Sequence, residues 1–242
     1  MGMGYQTQMI RNFGWLSSVW HINTVNPLIE IFESRKNGFK ENHIAPFPEE
    51  IPNRLINLYS KKGEYVLDPF CGSGTTNYVA LVLGRKTIGY DIEGKYIKIT
   101  REKCGNNGLF FCKSAEKMDE VYSTSIQLCI TSPPYLKLRD YSNNIKNIGN
   151  MENPYPILKK VFKEIYRVLK VGGYFCLNVS DIFNKEKREF TTFPYDLLNL
   201  CKEVNLKLEN TIIWDKDINL KEWNIRNKKM VINHEYIWIF RK

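Results

Sequence analysis

No apolar run in the sequence approaches the roughly 18 residues that a membrane span requires, and the opening MGMGYQTQMIRNFG lacks the apolar core of a secretory leader. Both absences point to a cytoplasmic protein. Metal-binding spacings are missing too. The six cysteines (71, 104, 112, 129, 176 and 201) form no CxxC pair, and the three histidines, 21, 43 and 234, lie far apart. Neither a metal nor disulfides are expected, and the thiols are read as free and buried. No internal repeat or low-complexity tract is visible. Acidic charge is also in short supply: 26 Asp and Glu face 35 Lys and Arg, for a net charge of +9. Such an excess favours a polyanionic partner, although many small basic domains bind no nucleic acid.

What is present suits one α/β domain, since 242 residues with 43% hydrophobic content suffice for a core. Strand-like runs alternate with amphipathic helical stretches beyond the first sixty residues. The strand candidates are 64–68, 87–91, 109–112, 127–131, 174–180, 208–215 and 235–240. Helices are expected at about 75–84, 95–104, 155–169 and 194–203. This alternation predicts a mostly parallel, seven-stranded sheet with helices on both faces. Lys170-Val171-Gly172-Gly173 reads as the stop signal of the third of these helices. Four polar segments, 1–18, 33–43, 137–153 and 216–233, are read as loops or recognition elements.

VLDPFCGSGTTNYVALVLGR reads as a strand, a tight turn and a helix. Glycines in Gly72-Ser73-Gly74 let a ligand approach the backbone, and the amides at the helix start, with Thr75 and Thr76, suit an anion. The turn has no lysine, so it is no nucleotidase phosphate loop, and it lacks the full GxGxxG of a dinucleotide site. About twenty residues on, the second strand ends in Gly89-Tyr90-Asp91-Ile92-Glu93. An acid there accepts hydrogen bonds from both ribose hydroxyls. Asp91 is the candidate; the plainer alternative is that Asp91 or Glu93 caps the following helix.

DPFCGSGTT, followed by a strand ending in SPPY, resembles the S-adenosylmethionine-dependent amino-methyltransferases of DNA. HIAPFPEEIPNRLI (43–56), GRKTIGYDIEGKYIKITREK (84–103), LRDY, RVLKVGGYFCLNVSD (167–181), TIIWDK and HEYIWIFRK also fit, so the resemblance covers roughly four fifths of the chain. It implies a Rossmann-like methyltransferase fold with S-adenosylmethionine as cofactor and S-adenosylhomocysteine as product. It also implies a cofactor site drawn from Ala45, Phe47, Asp68, Phe70, Cys71, Gly72, Ser73, Gly74, Thr75, Thr76, Asp91, Ile92, Ser114 and Ala115. Ser114 departs from the family, which often has an acid there beside the adenine. The motif order resembles a circular permutation cut in the target-recognition region. One domain is therefore expected, with an arm (1–42), a cofactor half (43–125), a catalytic half (126–242) and no separate recognition domain. DNA contact falls to the arm and to 137–153 and 216–233.

The resemblance assigns catalysis to Ser132, Pro133, Pro134 and Tyr135. An exocyclic amine is a poor nucleophile because its lone pair is delocalised into the ring. If it donates its hydrogens to the Ser132 side chain and the Pro133 carbonyl, the lone pair turns towards the methyl group. The prolines stiffen the chain so that this carbonyl points into the pocket. Tyr135 offers a ring for stacking, and the target base must be flipped out of the duplex. Ser at the first position leans to cytosine N4; adenine N6 is the alternative, with an RNA methyltransferase or a non-catalytic DNA-binding subunit behind it. Double-stranded DNA is the expected partner, with a homodimer and a cognate restriction endonuclease as further candidates. Trp20, Trp214, Trp223 and Tyr141 are candidates for DNA contact, although most are expected in the core.

Overall fold

A computed structural model describes residues 14–22, 48–134, 147–184, 188–216 and 232–242. The strands are β1 (Val19–His21), β2 (Tyr65–Asp68), β3 (Lys86–Asp91), β4 (Gly108–Cys112), β5 (Ile126–Thr131), β6 (Leu169–Val179), β7 (Phe183–Asn184), β8 (Glu189–Phe190), β9 (Lys207–Asp215) and β10 (His234–Arg241). The helices are α1 (Glu50–Tyr59), α2 (Thr75–Val82), α3 (Gly94–Cys104), α4 (Tyr155–Val168) and α5 (Phe193–Glu203).

Eight strands form one sheet in the order β1-β9-β10-β6-β5-β2-β3-β4, and β7 and β8 make a separate hairpin. β10 runs antiparallel to β6 and β9; the other pairs are parallel. All seven expected strands are present. The eighth is β1, from the sequence SVWHI, which pairs with β9 from Val19–Ile213 to His21–Asp215. Three residues give no periodicity to detect, and only the partner strand reveals them as a strand.

Side chains on the central strands alternate between two apolar layers, as the pleat requires. Leu67, Cys129, Phe175, Leu177, Trp238 and Phe240 face one layer, where Leu158, Val161, Phe162 and Ile165 of α4 and Phe193 and Leu197 of α5 cover them. Val66, Leu128, Ile130, Cys176, Ile237 and Ile239 face the other, under Ile51, Leu55 and Ile56 of α1 and Val79 and Ala80 of α2. Part of the expected recognition segment 137–153 joins this core instead, because Ile148 is buried against the first layer. Five of the six thiols are buried as expected; Cys112, on edge strand β4, is exposed.

The stop signal after α4 works differently from its reading in sequence. The helix ends at Val168, because Leu169 is already extended with ψ 138°. Gly172 and Gly173 lie within β6, where the pairing jumps from Ile126–Leu169 to Leu128–Tyr174. Gly172 has φ +78°, and a Cβ on Gly173 would stand 3.0 Å from the Lys170 carbonyl. The glycines therefore make a bulge against β5. Lys242 Nζ caps the helix from outside, donating to the carbonyls of Leu169 at 2.8 Å and Arg167 at 3.3 Å.

Trp20 shows that β1 belongs to the core: it is 1% exposed among Ile51, Leu55, Ile212 and Trp214. Its Nε1 donates to the Trp15 carbonyl, and the Arg54 guanidinium lies 5.2 Å from its ring. Trp214 is also buried and donates to the Ile22 carbonyl at 2.7 Å, so neither of these tryptophans presents its ring to DNA. Trp20→Ala is expected to cost about 3–5 kcal/mol in urea unfolding, as a large cavity would.

Candidate active site

Parallel strands deliver their carboxyl ends to one edge of a sheet, and a crevice opens there where successive connections diverge to opposite faces. In this chain that point lies between β2, whose connection leads to α2, and β5, whose side leads on to α4. The two strands pair through Val66–Leu128 and Leu67–Cys129, so the tips of DPFCGSGTT and TSPP are side by side. Thr131 Oγ1 donates to Asp68 Oδ1 at 2.6 Å, and both residues are buried.

Beyond Asp68 the chain makes its glycine turn. Gly72 and Gly74 have φ +48° and +79°, a region that L side chains avoid. A Cβ on Gly74 would also stand 2.6 Å from Thr100 Cγ2. Thr100, from α3, holds the turn by donating to the Gly72 carbonyl at 2.8 Å. Cys71 is tied to β3 through its amide, which donates to the Tyr90 carbonyl. Phe70 and Ser73 remain partly exposed around the turn, while Thr75 and Thr76 are buried at the start of α2.

Asp91 ends β3 half-buried, and its oxygens are both engaged. Oδ2 accepts from the Gly72 amide at 3.0 Å and Oδ1 from the Glu93 amide at 2.8 Å. The capping alternative is thus realised in part, and the same carboxylate braces the glycine turn. Each oxygen retains a lone pair for a further donor. Ile92 adjoins it, partly exposed. On β4, Cys112 is level with Asp91. Ser114 follows, its hydroxyl engaged with the Glu116 carboxylate and amide, and Ala115 is buried in the core.

Two carboxyls at this edge are pushed up to about 6. For Asp68 the cause is burial, opposed by the Thr131 hydroxyl, the Phe70 amide and the Thr76 hydroxyl. For Asp91 it is again loss of solvent, opposed by the Glu93 and Gly72 amides. The Thr76 hydroxyl lies near enough to Asp68 to act on it, yet it is buried and makes no hydrogen bond of good geometry. Such an orphan beside a raised carboxyl fits a site whose remaining partner is a ligand.

On the far side of β5, Ser132 and Pro134 are partly exposed and Pro133 is buried. Thr131 pairs with Leu177, and Asn178 is the next residue along β6. Asn178 donates to Glu235 at 2.5 Å, and Glu235 accepts from Lys216 at 2.6 Å. All three are nearly or fully shielded. Farther along the same edge, Tyr236 donates to Asp181 at 3.3 Å, and His21 Nδ1 sits 2.9 Å from Asp215. Reading the sequence missed Thr131 and this network. The available signal was a polar residue set in an apolar strand: Asn178 in YFCLNVS and Glu235 in EYIWIF.

Of the residues expected from sequence, the structure brings Asp68, Phe70 to Thr76 and Asp91 to one edge, with Ser132 to Pro134 on the adjacent strand. Tyr135, Ala45 and Phe47 lie outside the described residues, as do Tyr141, Trp223 and most of 1–18, 137–153 and 216–233. Among the described residues no helix is long and apolar enough to cross a membrane.

A family model described as DNA methylase matches residues 4–102 and 126–242. Type II methyltransferase M.MjaI of Methanocaldococcus jannaschii is 41% identical over 91 residues, covering 38% of this chain and 27% of that protein. Type II methyltransferase M2.DpnII of Streptococcus pneumoniae is 49% identical over 61 residues, 25% of this chain and 23% of the relative. DNA adenine methyltransferase YhdJ of Escherichia coli is 40% identical over 82 residues, 34% and 25%. The match thus spans about a quarter of each relative's length. Among solved structures, a TehB-like SAM-dependent methyltransferase from Corynebacterium glutamicum superposes with TM-score 0.54 at 18% identity, over 90% of this chain and 100% of that one. A methyltransferase of Streptococcus mutans, solved in complex with SAH, gives 0.54 at 15%, over 82% and 100%. These two likenesses establish the fold.

The raised Asp68 carboxyl has a thermodynamic consequence whose sign is definite. A carboxyl whose folded pKa lies above its ordinary value of about 4 contributes stability at low pH, and that contribution is lost as pH rises through about 6. Asp68→Asn retains an Oδ1 for both Thr131 and Phe70 while removing the charge. The ligand-free variant should exceed wild type by roughly 2–3 kcal/mol at pH 7.5 and match it at pH 4, as read from urea unfolding at the two values.

Proposed function

We propose, from the fact that this chain belongs to the DNA methylase family, that it transfers a methyl group from S-adenosylmethionine to an exocyclic amine of a base in double-stranded DNA. The observation that carries this reading is the Thr131–Asp68 bond, which sets the tip bearing Ser132-Pro133 against the strand that opens the glycine turn. A donor at the turn and an acceptor at Ser132 would then be neighbours.

The chain's residues fit the donor. Turn amides and the start of α2 suit its carboxylate, Asp68 its ammonium, and Asp91, with Ile92 beside it, the ribose hydroxyls. Phe70, Cys71, Ser73 and the Thr75 and Thr76 hydroxyls surround the turn, and Ser114 and Ala115 take the adenine side. Ala45 and Phe47 belong to the same proposal through the family motif alone. When bound, the donor supplies a methyl group already activated on a sulfonium. The protein need only present the amine. Ser132 Oγ and the Pro133 carbonyl would accept its two hydrogens and turn the lone pair towards the methyl group. One proton then leaves the nitrogen for solvent. Pro134 stiffens the segment, and Tyr135 would stack on a base flipped from the duplex.

Cytosine N4 is the proposed target because Ser132 opens the catalytic segment, as is commoner in the cytosine-N4 enzymes that this chain resembles. Adenine N6 is the second reading, favoured by the name of the relative YhdJ. A homodimer and a cognate restriction endonuclease belong to the same proposal as further partners.

DNA methylated by the purified protein, digested to nucleosides and measured by mass spectrometry, should contain N4-methylcytosine; N6-methyladenine would decide for the second reading. Ser132→Ala should lower kcat by roughly a hundredfold or more with little change in donor Kd, consistent with loss of one preorganised partner of the amine. Unaltered kcat in that variant would remove Ser132 from the reaction.

A further inference from the structure

Thr131 is completely buried at the tip of β5, yet its hydroxyl turns across to β2. A β-branched side chain has few rotamers, so this direction is well defined. The hydroxyl and the Phe70 amide, at 2.6 and 3.1 Å, both donate to Asp68 Oδ1. Among the described residues Oδ2 receives no such bond. The Thr76 hydroxyl, on the side of the glycine turn, is itself without a partner. One oxygen of the carboxylate is therefore anchored to the neighbouring strand and the other is left to the turn.

We propose that Thr131 is a positioning residue: it aims Asp68 Oδ2 at the cationic amino end of the methyl donor and, through the same bond, ties the placement of Ser132 and Pro133 to donor occupancy. This rests on the donor reading given above.

The electrostatics support the role. The groups that hold Asp68 down are the Thr131 hydroxyl on β5, the Phe70 amide in the turn and the Thr76 hydroxyl on α2, and the charge of Asp68 in turn raises Cys71 in the turn, Cys129 on β5 and Asp91 on β3. Burial pushes both thiols well above the ordinary range, so they are neutral. Asp91 repels. Among the described residues no lysine or arginine is one of these groups, and hydrogen bonds hold the carboxyl down to about 6. A cation at Oδ2 would keep Asp68 ionised, and an ionised acceptor strengthens the bond from Thr131. Donor binding and protonation of Asp68 therefore compete, and each weakens the other by linkage. Loss of the Thr131 bond shifts that competition towards the proton.

The test compares wild type, Thr131→Val, which keeps the shape without the hydroxyl, and Thr131→Ser, which keeps the hydroxyl. Calorimetry with S-adenosylmethionine between pH 5.5 and 8 should show wild-type affinity falling as pH drops through about 6. Thr131→Val should bind roughly tenfold more weakly at pH 6.5, the worth of one hydrogen bond to a charged group, and its acid limb should move to higher pH. Thr131→Ser should remain within about threefold of wild type. In ligand-free protein, the carbon-13 titration of the Asp68 carboxyl should move up in the valine variant and return in the serine variant. A valine variant with wild-type affinity and an unmoved carboxyl titration overturns the positioning role. If Thr131→Val does not fold, Thr131→Ala, which also lacks the hydroxyl, carries the same test: weaker donor binding with a carboxyl titration moved up supports the role, and wild-type affinity with an unmoved titration overturns it. Wild type that takes up no donor refutes the donor reading itself, which separates the two failures.

Discussion

Asp68 reaches the end of β2 with its carboxylate out of water, and the first partner it meets is a hydroxyl from the strand alongside, 2.6 Å away. Moving a carboxylate into a protein interior costs several kcal/mol unless hydrogen bonds or opposite charge offset the loss of hydration. Among the described residues the Thr131 hydroxyl and the Phe70 amide donate to it, with the Thr76 hydroxyl close by, all of them neutral, and the carboxyl stays near 6. A sheet tip built this way is held at a cost to the ligand-free fold, which favours the proposal of a cationic ligand there. The glycine turn, the position of Asp91 and the placement of the Ser-Pro-Pro segment all connect to that tip. Asp91 grips the turn through the Gly72 amide, Thr100 grips it from α3, and Thr131 joins it to β5.

The rest of the sheet keeps that arrangement rigid. Central strands carry apolar side chains on both faces because helices lie on both. The strand ends are therefore where polar groups gather. β6, β9 and β10 continue the edge with a second polar cluster, in which the nearly buried Lys216 and Glu235 are paired and Asn178 is anchored to Glu235. A shielded ion pair contributes little net stability compared with apolar packing, whereas removing one partner is strongly destabilising. Its value here is geometric, because it fixes the residue that follows Leu177, the partner of Thr131.

Much of this was legible in sequence. Seven strands and four helices followed from the alternation of apolar runs with amphipathic stretches, since each element is long enough to show its period. Gly72 and Gly74 were recognisable because only a turn with positive φ needs glycine at those positions. β1 was not legible: three residues carry no period, and their strand character comes from pairing with β9, nearly two hundred residues away. The bulge at Gly172 and Gly173 was misread as a helix stop, since glycine serves both purposes and only the register jump against β5 distinguishes them.

The local sequence by itself determined the motifs, their order and the residue types they present: an acid at the end of the first core strand, glycines after it, a second acid some twenty residues on, and Ser-Pro-Pro after a later strand. These are properties of short segments, governed by backbone preference and side-chain chemistry. Tertiary structure decided which of them touch. That Thr131 bonds Asp68, that Asp91 braces Gly72, and that Lys216, Glu235 and Asn178 form one cluster depends on strand order and register. Those contacts join residues from 19 to 63 positions apart, a separation over which no local pattern operates and only the packing of the whole sheet does.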